Sequence, residues 1–459
     1  MDIEVLKKLL RSRLEKHNAF VKTINEAWEY YGCDNAINTY HYPGEDAGNP
    51  LRRADNRISH GFYPVLVNQE AAYLFTYPPT FDTGEKGLND KIKSTLGEQW
   101  NKVCQSLSVD ASNSTTAWLH VWKDAAGRFR YWPVDARQII PVYARTLDRE
   151  LLAVLRRYED MDDSGGRWTV CEYWTADACY AYRATATLPE EFEPYNCFSI
   201  LDVDAGAETE SNVFRHGWGT VPFIEFPNNN LHQNDLKPVK GLIDVYDKVI
   251  SGYINDIEDI QQLIFVLQNY GGQDLDQFLG DLKRYKVVDL QGAADQRSGL
   301  DTLSIDIPVE ARNTLAELVR KAIYEQGQGV EINPDKLGNV KGVVIDHLYG
   351  FLELKAGLKE TEFRVGFGKL LRLLLKHLGV SEDTPVEQTW QRNKVRDDLE
   401  LSQIIANLKD CTSRKNIARA NPLVADPDEE LKLLAEEEAK QRELWETPEP
   451  PRKGAGDAQ

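Results

Sequence analysis

The stretch from Val239 to Leu267 constrains the fold of this chain more than any other. Val239, Ile243, Tyr246, Ile250, Tyr253, Ile257, Ile260, Ile264 and Leu267 follow one another at alternating spacings of four and three. Such a seam marks a helix that packs lengthwise against other helices. If the helix runs from Leu236 to Val266, it is about 45–50 Å long at 1.5 Å per residue. Its remaining surface is unusual. Between Val249 and Leu282 there is no Lys, Arg or His, whereas Asp256, Glu258, Asp259, Asp274, Asp276 and Asp281 all fall there. A rod with one apolar seam and an acidic, base-free remainder needs companions along its length.

The chain has 459 residues, enough for several domains. Hydrophobic residues make up 42%, with 10 Trp and 20 Tyr, which gives packed cores rather than disorder. The net charge of −19 argues against a protein that holds nucleic acid by neutralising phosphates. It leaves room for one past which DNA slides. The six cysteines form no C-x-x-C pair and no zinc spacing, so buried thiols in a reducing compartment are expected. No window approaches 18 consecutive apolar residues, so no membrane span is expected. The N-terminal "MDIEVLKKLLRSRLEKHNAFV" is charged throughout and does not read as a signal peptide.

Along the chain, Asp2 to Tyr31 predicts one or two amphipathic helices, with Ile3, Leu6, Leu9, Leu10 and Leu14 on one face. Asn56 to Phe81 predicts a helix stopped by Pro78–Pro79, and Gly87 to Ser106 a polar helix. From Ser114 the texture changes to alternating aromatic and β-branched residues. A hairpin with its turn at Asp124–Gly127 is predicted, then three strands within 151–184, then an edge strand between Pro222 and Pro227. Residues 114–230 are thus antiparallel β inside a helical chain, an α+β pattern. After the seam, a short helix (Leu275–Tyr285) and two strands (Lys286–Leu290, Thr302–Ile307) form a small mixed unit, and Val309–Gln326 returns as a helix. "GQGVEINPDKLGNVKG" (Gly327–Gly342) must be a loop. Val343–Leu378 is a second long helix. Gly350, Gly357, Gly366 and Gly368 lie inside it and point to kinks or close helix contacts. "PVEQTWQRN" is a strand, and two helices separated by "NPLVADPDEEL" precede a Pro/Gly-rich tail.

No phosphate loop, G-x-S-x-G, H-E-x-x-H or EF-hand pattern occurs. His347 and His377 lie 30 residues apart and read as structural. Asp160, Asp162 and Asp163 precede Ser164–Gly165–Gly166 and read as a solvated hairpin turn rather than a metal site. Neither a catalytic constellation nor a cofactor site is recognisable, and a structural part rather than an enzyme is expected.

The out-and-back order carries a resemblance. "NDLKPVKGLIDVYDKVISGYINDIEDIQQLIFVLQNYGG" closely resembles the portal proteins of tailed bacteriophages, the head–tail connectors of long-tailed phages and prophages. "AWEYYGCDNAI", "NRISHGFYPVLVNQEAAYLFTYPP", "VDARQIIPVY", "GTVPFIEFPNN" and the acidic helices from Val395 to Glu438 resemble further elements of that family in the same order. Asn421–Pro422, where Leu–Pro is commoner, and the short tail are departures.

The resemblance implies the portal fold: a β-rich wing (residues 1–235), stem helix 1 (236–266), a clip (267–308), stem helix 2 (309–326), a tunnel loop (327–342), a long kinked wing helix with a return strand (343–395), a helical crown (396–446) and a disordered tail (447–459). It implies a homo-oligomeric ring, usually of twelve subunits, in the virion at one capsid vertex, assembled in the host cytoplasm. Double-stranded DNA would pass through it without sequence specificity during packaging and ejection. The terminase large subunit, a head-completion adaptor, and major capsid and scaffolding proteins would be partners, with no membrane involved. Another head–tail adaptor or a minor capsid protein is the alternative.

Under this reading Asp244, Asp247, Asp256, Glu258 and Asp259 are channel-facing candidates, because acids repel phosphates and keep a duplex mobile. Simple solvation of an exposed helix face accounts for them equally well. Gly329, Glu331, Asn333, Asp335, Lys336, Asn339 and Lys341 are candidates in the tunnel loop, whose glycines offer backbone freedom. Lys283, Arg284 and Lys286 end the base-free run and are candidates for docking a partner at the clip.

Overall fold

A computed structural model describes residues 3–41, 54–185, 191–202, 207–260, 264–268, 299–303, 308–331, 349–393, 403, 405–407, 411–421, 424 and 427–446. The chain divides into two compact units, Met1–Glu331 with Phe351–Asn393, and Ile332–Gly350 with Lys394–Gln459.

The first unit is built on α1 (Ile3–Tyr31), one continuous helix. Its buried residues Leu6, Leu10, His17, Ile24, Ala27 and Tyr30 keep the helical period over its whole length. Leu6 and Leu10 pack on Ile140, Leu155, Cys171 and Tyr182. Ile24 enters a second cluster with Trp118, Val154, Trp174 and Phe223. Helix α1 is therefore covered by the β region, and at its C-terminal end Ala27 and Tyr30 pack with Val239, Ile243, Val319 and Ile323.

Strands β4 (Ile139–Tyr143), β5 (Leu151–Met161), β6 (Arg167–Trp174) and β7 (Ala178–Thr185) form an antiparallel meander, extended by β8 (Glu193–Pro194) and β11 (Val213–Arg215) on β7. The β5–β6 turn is tied by Asp162. Its carboxylate accepts from the Ser164 hydroxyl, the Trp168 indole and the Gly166 amide, which hold its pKa well below the ordinary carboxylate range. The hairpin reading of that acidic run stands. A three-stranded sheet orders β12 (Phe223–Pro227), β2 (Thr116–Lys123) and β3 (Phe129–Val134). Strand β12 is at its edge, where prolines are tolerated. The smaller pairs are β1 (Thr80–Asp82) with β15 (Glu387–Thr389), β9 (Phe198–Asp202) with β10 (Ala207–Ser211), and β13 (Ile264–Gln268) with β14 (Gly299–Leu303).

Several boundaries differ from expectation. Helix α2 is Phe62–Phe75, and residues 54–60 before it belong to no helix or strand. The polar helix is two, α3 (Lys86–Leu96) and α4 (Trp100–Ser114), split at Gly97, whose φ of 68° stops the first. The seam helix α5 is Lys240–Ile260. Ile264 and Leu267 keep the seam's spacing but lie in β13, paired with Leu303 and Leu300. The run Ile264-Phe265-Val266 favours a strand, and the heptad count passed through it unaware. The expected strand at 302–307 is β14, starting at Gly299. The short helix expected at Leu275–Tyr285 and the strand at Lys286–Leu290 lie outside the described residues. Helix α6 (Val309–Gln326) begins and ends as expected. Helix α7 is Gly350–His377, the expected earlier part lying outside the described residues. Among the cysteines, Cys104, Cys171 and Cys179 are buried, but Cys33, Cys197 and Cys411 are exposed.

Helix α7 packs its Phe363 and Phe367 on Phe226, with ring centroids 5.1 and 5.0 Å apart. Gly366 permits this approach: a Cβ there would lie 2.4 Å from Phe226 Cε1. On the same helix Lys359, 1% exposed, donates to Glu70 at 2.6 Å and to the Ser112 hydroxyl at 2.7 Å. Lys355 bridges Glu70 (3.1 Å) and Asp235 (2.9 Å). Burial opposes ionisation of Asp235, yet Lys355 and Lys359 hold its pKa far below the usual range. Two lysines and two carboxylates thus offset one another inside the unit, fixing α2, α4 and α7 beside the start of α5.

The second unit contains α8 (Arg414–Ala420), capped by the Ser413 hydroxyl accepting from the Asn416 amide, and α9 (Pro427–Glu446). Pro427 occupies the first helical position, where its missing N–H costs nothing. Arg414 pairs with Glu438 across the two helices.

Candidate functional site

Helices α5 and α6 run antiparallel. Val239 and Ile243 near the start of α5 share a buried cluster with Val319 and Ile323 near the end of α6, and Arg312 at the start of α6 pairs with Asp256 near the end of α5. The seam is the interface, but its cover thins along the pair. Val239 and Ile243 are fully buried, Tyr246, Ile250 and Tyr253 are half-buried, and Ile257 is 39% exposed.

The acids expected on a channel face mostly point elsewhere. Asp247 is 0% exposed. It accepts from the Asn35 side chain (2.6 Å) and from the His60 backbone N–H (3.1 Å), and His60 Nδ1 lies at 2.8 Å. It cannot line a channel in this structure. Asp244, half-buried, accepts from the Tyr30 hydroxyl and from Lys240 at 3.0 Å. Burial, and then Asp244, push the Tyr30 pKa up to about 12. Asp256 is engaged by Arg312, which also stacks over Tyr253. Glu258 is exposed and accepts from the Asn56 side chain at 2.8 Å. The side chain of Asp259 lies outside the described residues.

These contacts form a ladder. The Ser251 hydroxyl accepts from the Ile58 N–H at 3.0 Å, and Asn255 Oδ1 from the Asn56 N–H at 2.7 Å. Backbone amides two apart (60, 58, 56) therefore meet helix residues four apart (247, 251, 255). Two extended residues span roughly 6.6 Å and four helical ones roughly 6.0 Å, so an extended chain can run antiparallel along a helix with matched rungs. The polar face of α5 was read as solvent- or DNA-facing; it is a buried docking face for residues 54–60.

At the far end of α6 the chain enters the expected tunnel loop. Gln328 has φ of 53°, its N–H donates to the Glu325 carbonyl, and the Gly329 N–H donates to the Tyr324 carbonyl. This is a Schellman ending in which Gln, not Gly, takes the left-handed position. The flanking glycines serve another purpose. A Cβ on Gly327 or Gly329 would lie 2.5 or 2.3 Å from the methyls of Leu66. Gly329 is therefore pressed against α2 and is not a free hinge, which corrects the expectation for it. Gln69 then grips the next residue with both ends of its amide: Nε2 donates to the Val330 carbonyl (2.8 Å) and Oε1 accepts from the Val330 N–H (3.0 Å). Glu331 pairs with Arg320 at 3.0 Å. Gln69 is a residue the sequence did not flag, since one Gln on an apolar helix has no local signature. Asn333, Asp335, Lys336, Asn339 and Lys341, and the clip candidates Lys283, Arg284 and Lys286, lie outside the described residues.

A separate cleft of about 290 Å³ lies between Trp28 and Trp132. Asp110 lies in it. Burial, and then Asp135, push its carboxyl up to about 7 against the pull of Arg137. Among the described residues no group of three or more His, Cys, Asp or Glu could hold a metal ion, and no helix is long and apolar enough to cross a membrane.

The chain matches the family described as phage portal protein, SPP1 Gp6-like, over residues 11–444. It is similar to the portal protein of Clostridium phage phiCD119, 40% identical over 404 residues that cover 85% of this chain and 86% of the relative. It is also similar to the portal protein of Bacillus phage SPP1, 27% identical over 453 residues that cover 94% and 86%. Among solved structures, a chain from the neck of a native gene transfer agent particle aligns with a TM-score of 0.40 at 12% identity, covering 82% of this chain and 91% of that one. A chain from the virion of a native gene transfer agent particle gives 0.41 at 13%, covering 82% and 90%.

Proposed function

The chain belongs to the SPP1 Gp6-like family of phage portal proteins, and we propose that it works as a ring at one capsid vertex, with double-stranded DNA passing through its centre during packaging and ejection. The family match carries this reading, and the uncovered seam of α5 agrees with it, because Ile257 is left for a neighbour to bury. The ring is of twelve subunits. DNA passes without sequence-specific contact, and the net charge of −19 agrees with a channel that does not hold the duplex by neutralising its phosphates. Since Asp244, Asp247 and Asp256 are engaged within the chain, the charge offered to the channel comes from Asp259 and from the loop residues Asp335, Lys336 and Lys341, with Asn333 and Asn339 as neutral polar neighbours. The mixed signs of that loop suit a sliding grip, because each firmly neutralised phosphate must be released at the next step.

Lys283, Arg284 and Lys286 help dock an acidic face of a partner, either the terminase large subunit or the head-completion adaptor. Charge reversal at all three that leaves packaging and tail attachment intact removes that role. The ring itself is tested by electron microscopy of the purified full-length chain. A closed ring with a central hole is expected. A monomer at high protein concentration over a range of salt, or an open filament, contradicts it.

A further inference from the structure

The cleft between Trp28 and Trp132 contains polar groups that the rest of the chain leaves without partners. One face of α4 lines it through Val103, Ser106, Asp110 and Ser114, spaced three, four and four. Trp28 of α1 and residues 132–137, from the end of β3 onward, complete the lining. Two of its polar groups are already used. The Ser114 hydroxyl accepts from the Trp28 indole N–H at 3.4 Å. Arg137 donates to both oxygens of Asp135 at 2.7–3.0 Å and to the Asn25 side chain at 3.1 Å. Among the described residues, however, neither the Asp110 carboxyl nor the Ser106 hydroxyl takes part in a hydrogen bond or an ion pair. Enclosed polar groups nearly always have a partner in the protein, in water or in a ligand.

The missing partner is a cation. Two carboxyls line the cleft, and its one guanidinium answers only Asp135. The aromatic lining favours positive charge too: Lys102 already holds its ammonium over Trp132, 5.5 Å from the ring centroid. A volume of about 290 Å³ admits a group of side-chain size. A guanidinium suits these surroundings better than an ammonium does. It is planar, it stacks on aromatic faces, and its N–H groups form a fixed fork that fits a carboxylate.

We propose that this cleft is a binding site for an alkylguanidinium group, held between Trp28 and Trp132 with its N–H groups donating to Asp110 and Ser106. The group is either the head of an arginine side chain on a protein segment or a free alkylguanidine. The cleft is built from α1, α4 and the β3 region of one chain, so it needs no second subunit and does not depend on the ring.

The test is isothermal titration calorimetry on the full-length chain with three probes: Nα-acetyl-arginine amide, agmatine and Nα-acetyl-citrulline amide, the neutral analogue of the first. The arginine probe is expected to bind at least about tenfold tighter than the citrulline one, as a charge-assisted bond to Asp110 requires. Its affinity is expected to rise about tenfold from pH 6 to pH 8, because only ionised Asp110 offers the charge and its carboxyl titrates at about 7. Nearby Tyr31 is pushed up by burial and Arg137 by Asp135, so neither changes charge in that range. Asp110→Asn and Trp132→Ala are each expected to weaken binding by about tenfold or more. Trp132 is 43% exposed, so its removal leaves the core intact, and a melting curve checks both variants. Tighter binding of the capped arginine than of agmatine would assign the site to a protein segment; agmatine binding as tightly or more so would assign it to a free alkylguanidine. A wild-type chain that binds no probe, or citrulline as well as arginine, would overturn the proposal and leave the cleft to water. Folded variants that bind like the wild type, or an affinity flat between pH 6 and 8, would overturn it as well.

Discussion

Replacing Gln69 by Leu should release the start of the loop that follows α6. The substitution keeps the size of the side chain and removes both of its polar ends. The Val330 N–H and C=O, on a residue only 6% exposed, then lose their partners. An unsatisfied buried backbone group costs about 1–3 kcal/mol. The chain can escape part of that cost by letting residues 330–331 swing into water, so the grip is worth about 2–3 kcal/mol in all. At roughly 1.4 kcal/mol per factor of ten, the undocked population rises about 30- to 150-fold. Hydrogen exchange at the Val330 amide, followed by mass spectrometry on peptides spanning 324–331, should accelerate by the same factor, with peptides from α2 as the control. Gln69→Glu should fall between, since a carboxylate still accepts from the Val330 N–H but cannot donate to its carbonyl. A change below about threefold at Val330 in the Leu variant would refute the reasoning, and would mean that Leu66 against Gly327 and Gly329 holds the segment alone.

Gly366→Ala should lower the melting temperature and Gly357→Ala should raise it. Overpacking against Phe226, about 1–3 kcal/mol, outweighs a helix-propensity gain of about 1 kcal/mol at Gly366, whereas a Cβ at Gly357 meets nothing within 4 Å; shifts of the same sign would contradict the packing argument. Asp110 should make stability pH-dependent. Its folded pKa of about 7 lies above the unfolded value of about 3.9, so its contribution is complete below pH ~4 and is lost as the pH rises through 7. Asp110→Asn should therefore gain on the wild type between pH 4 and 7, by at most about 1.4 kcal/mol per unit, and a melting-temperature difference that stays flat across that range would rule this out.

The sequence reads well where one residue decides and poorly where a distant segment does. Pro308 and Gly327 bracket α6, and its bounds came out as expected. Gly97 should have split the polar helix of 87–106, but one glycine in a polar run is a weak signal until its φ of 68° is seen. The β meander was visible because alternation is local. The close approach of α7 to β12 was legible as a glycine-rich helix, yet which glycine mattered depended on Phe226, far away in the chain.

The acids of α5 show why such limits are physical. Period four at Asp247, Ser251 and Asn255 says that one face of the helix is polar; it cannot say whether water, DNA or protein meets that face. The partner, residues 54–60, has no periodicity of its own, because an extended chain bonding through backbone amides leaves its side chains unconstrained. The match also has a built-in end. The extended chain gains roughly 0.6 Å on the helix at each rung. By the third rung it has overrun by more than 1 Å, and there the side chain of Asn56 reaches both Asn255 at 2.9 Å and Glu258 at 2.8 Å. A residue spanning two helix positions is what the mismatch requires. Beyond it the ladder cannot continue in step, and of the acids on α5 only Asp259 follows the last rung.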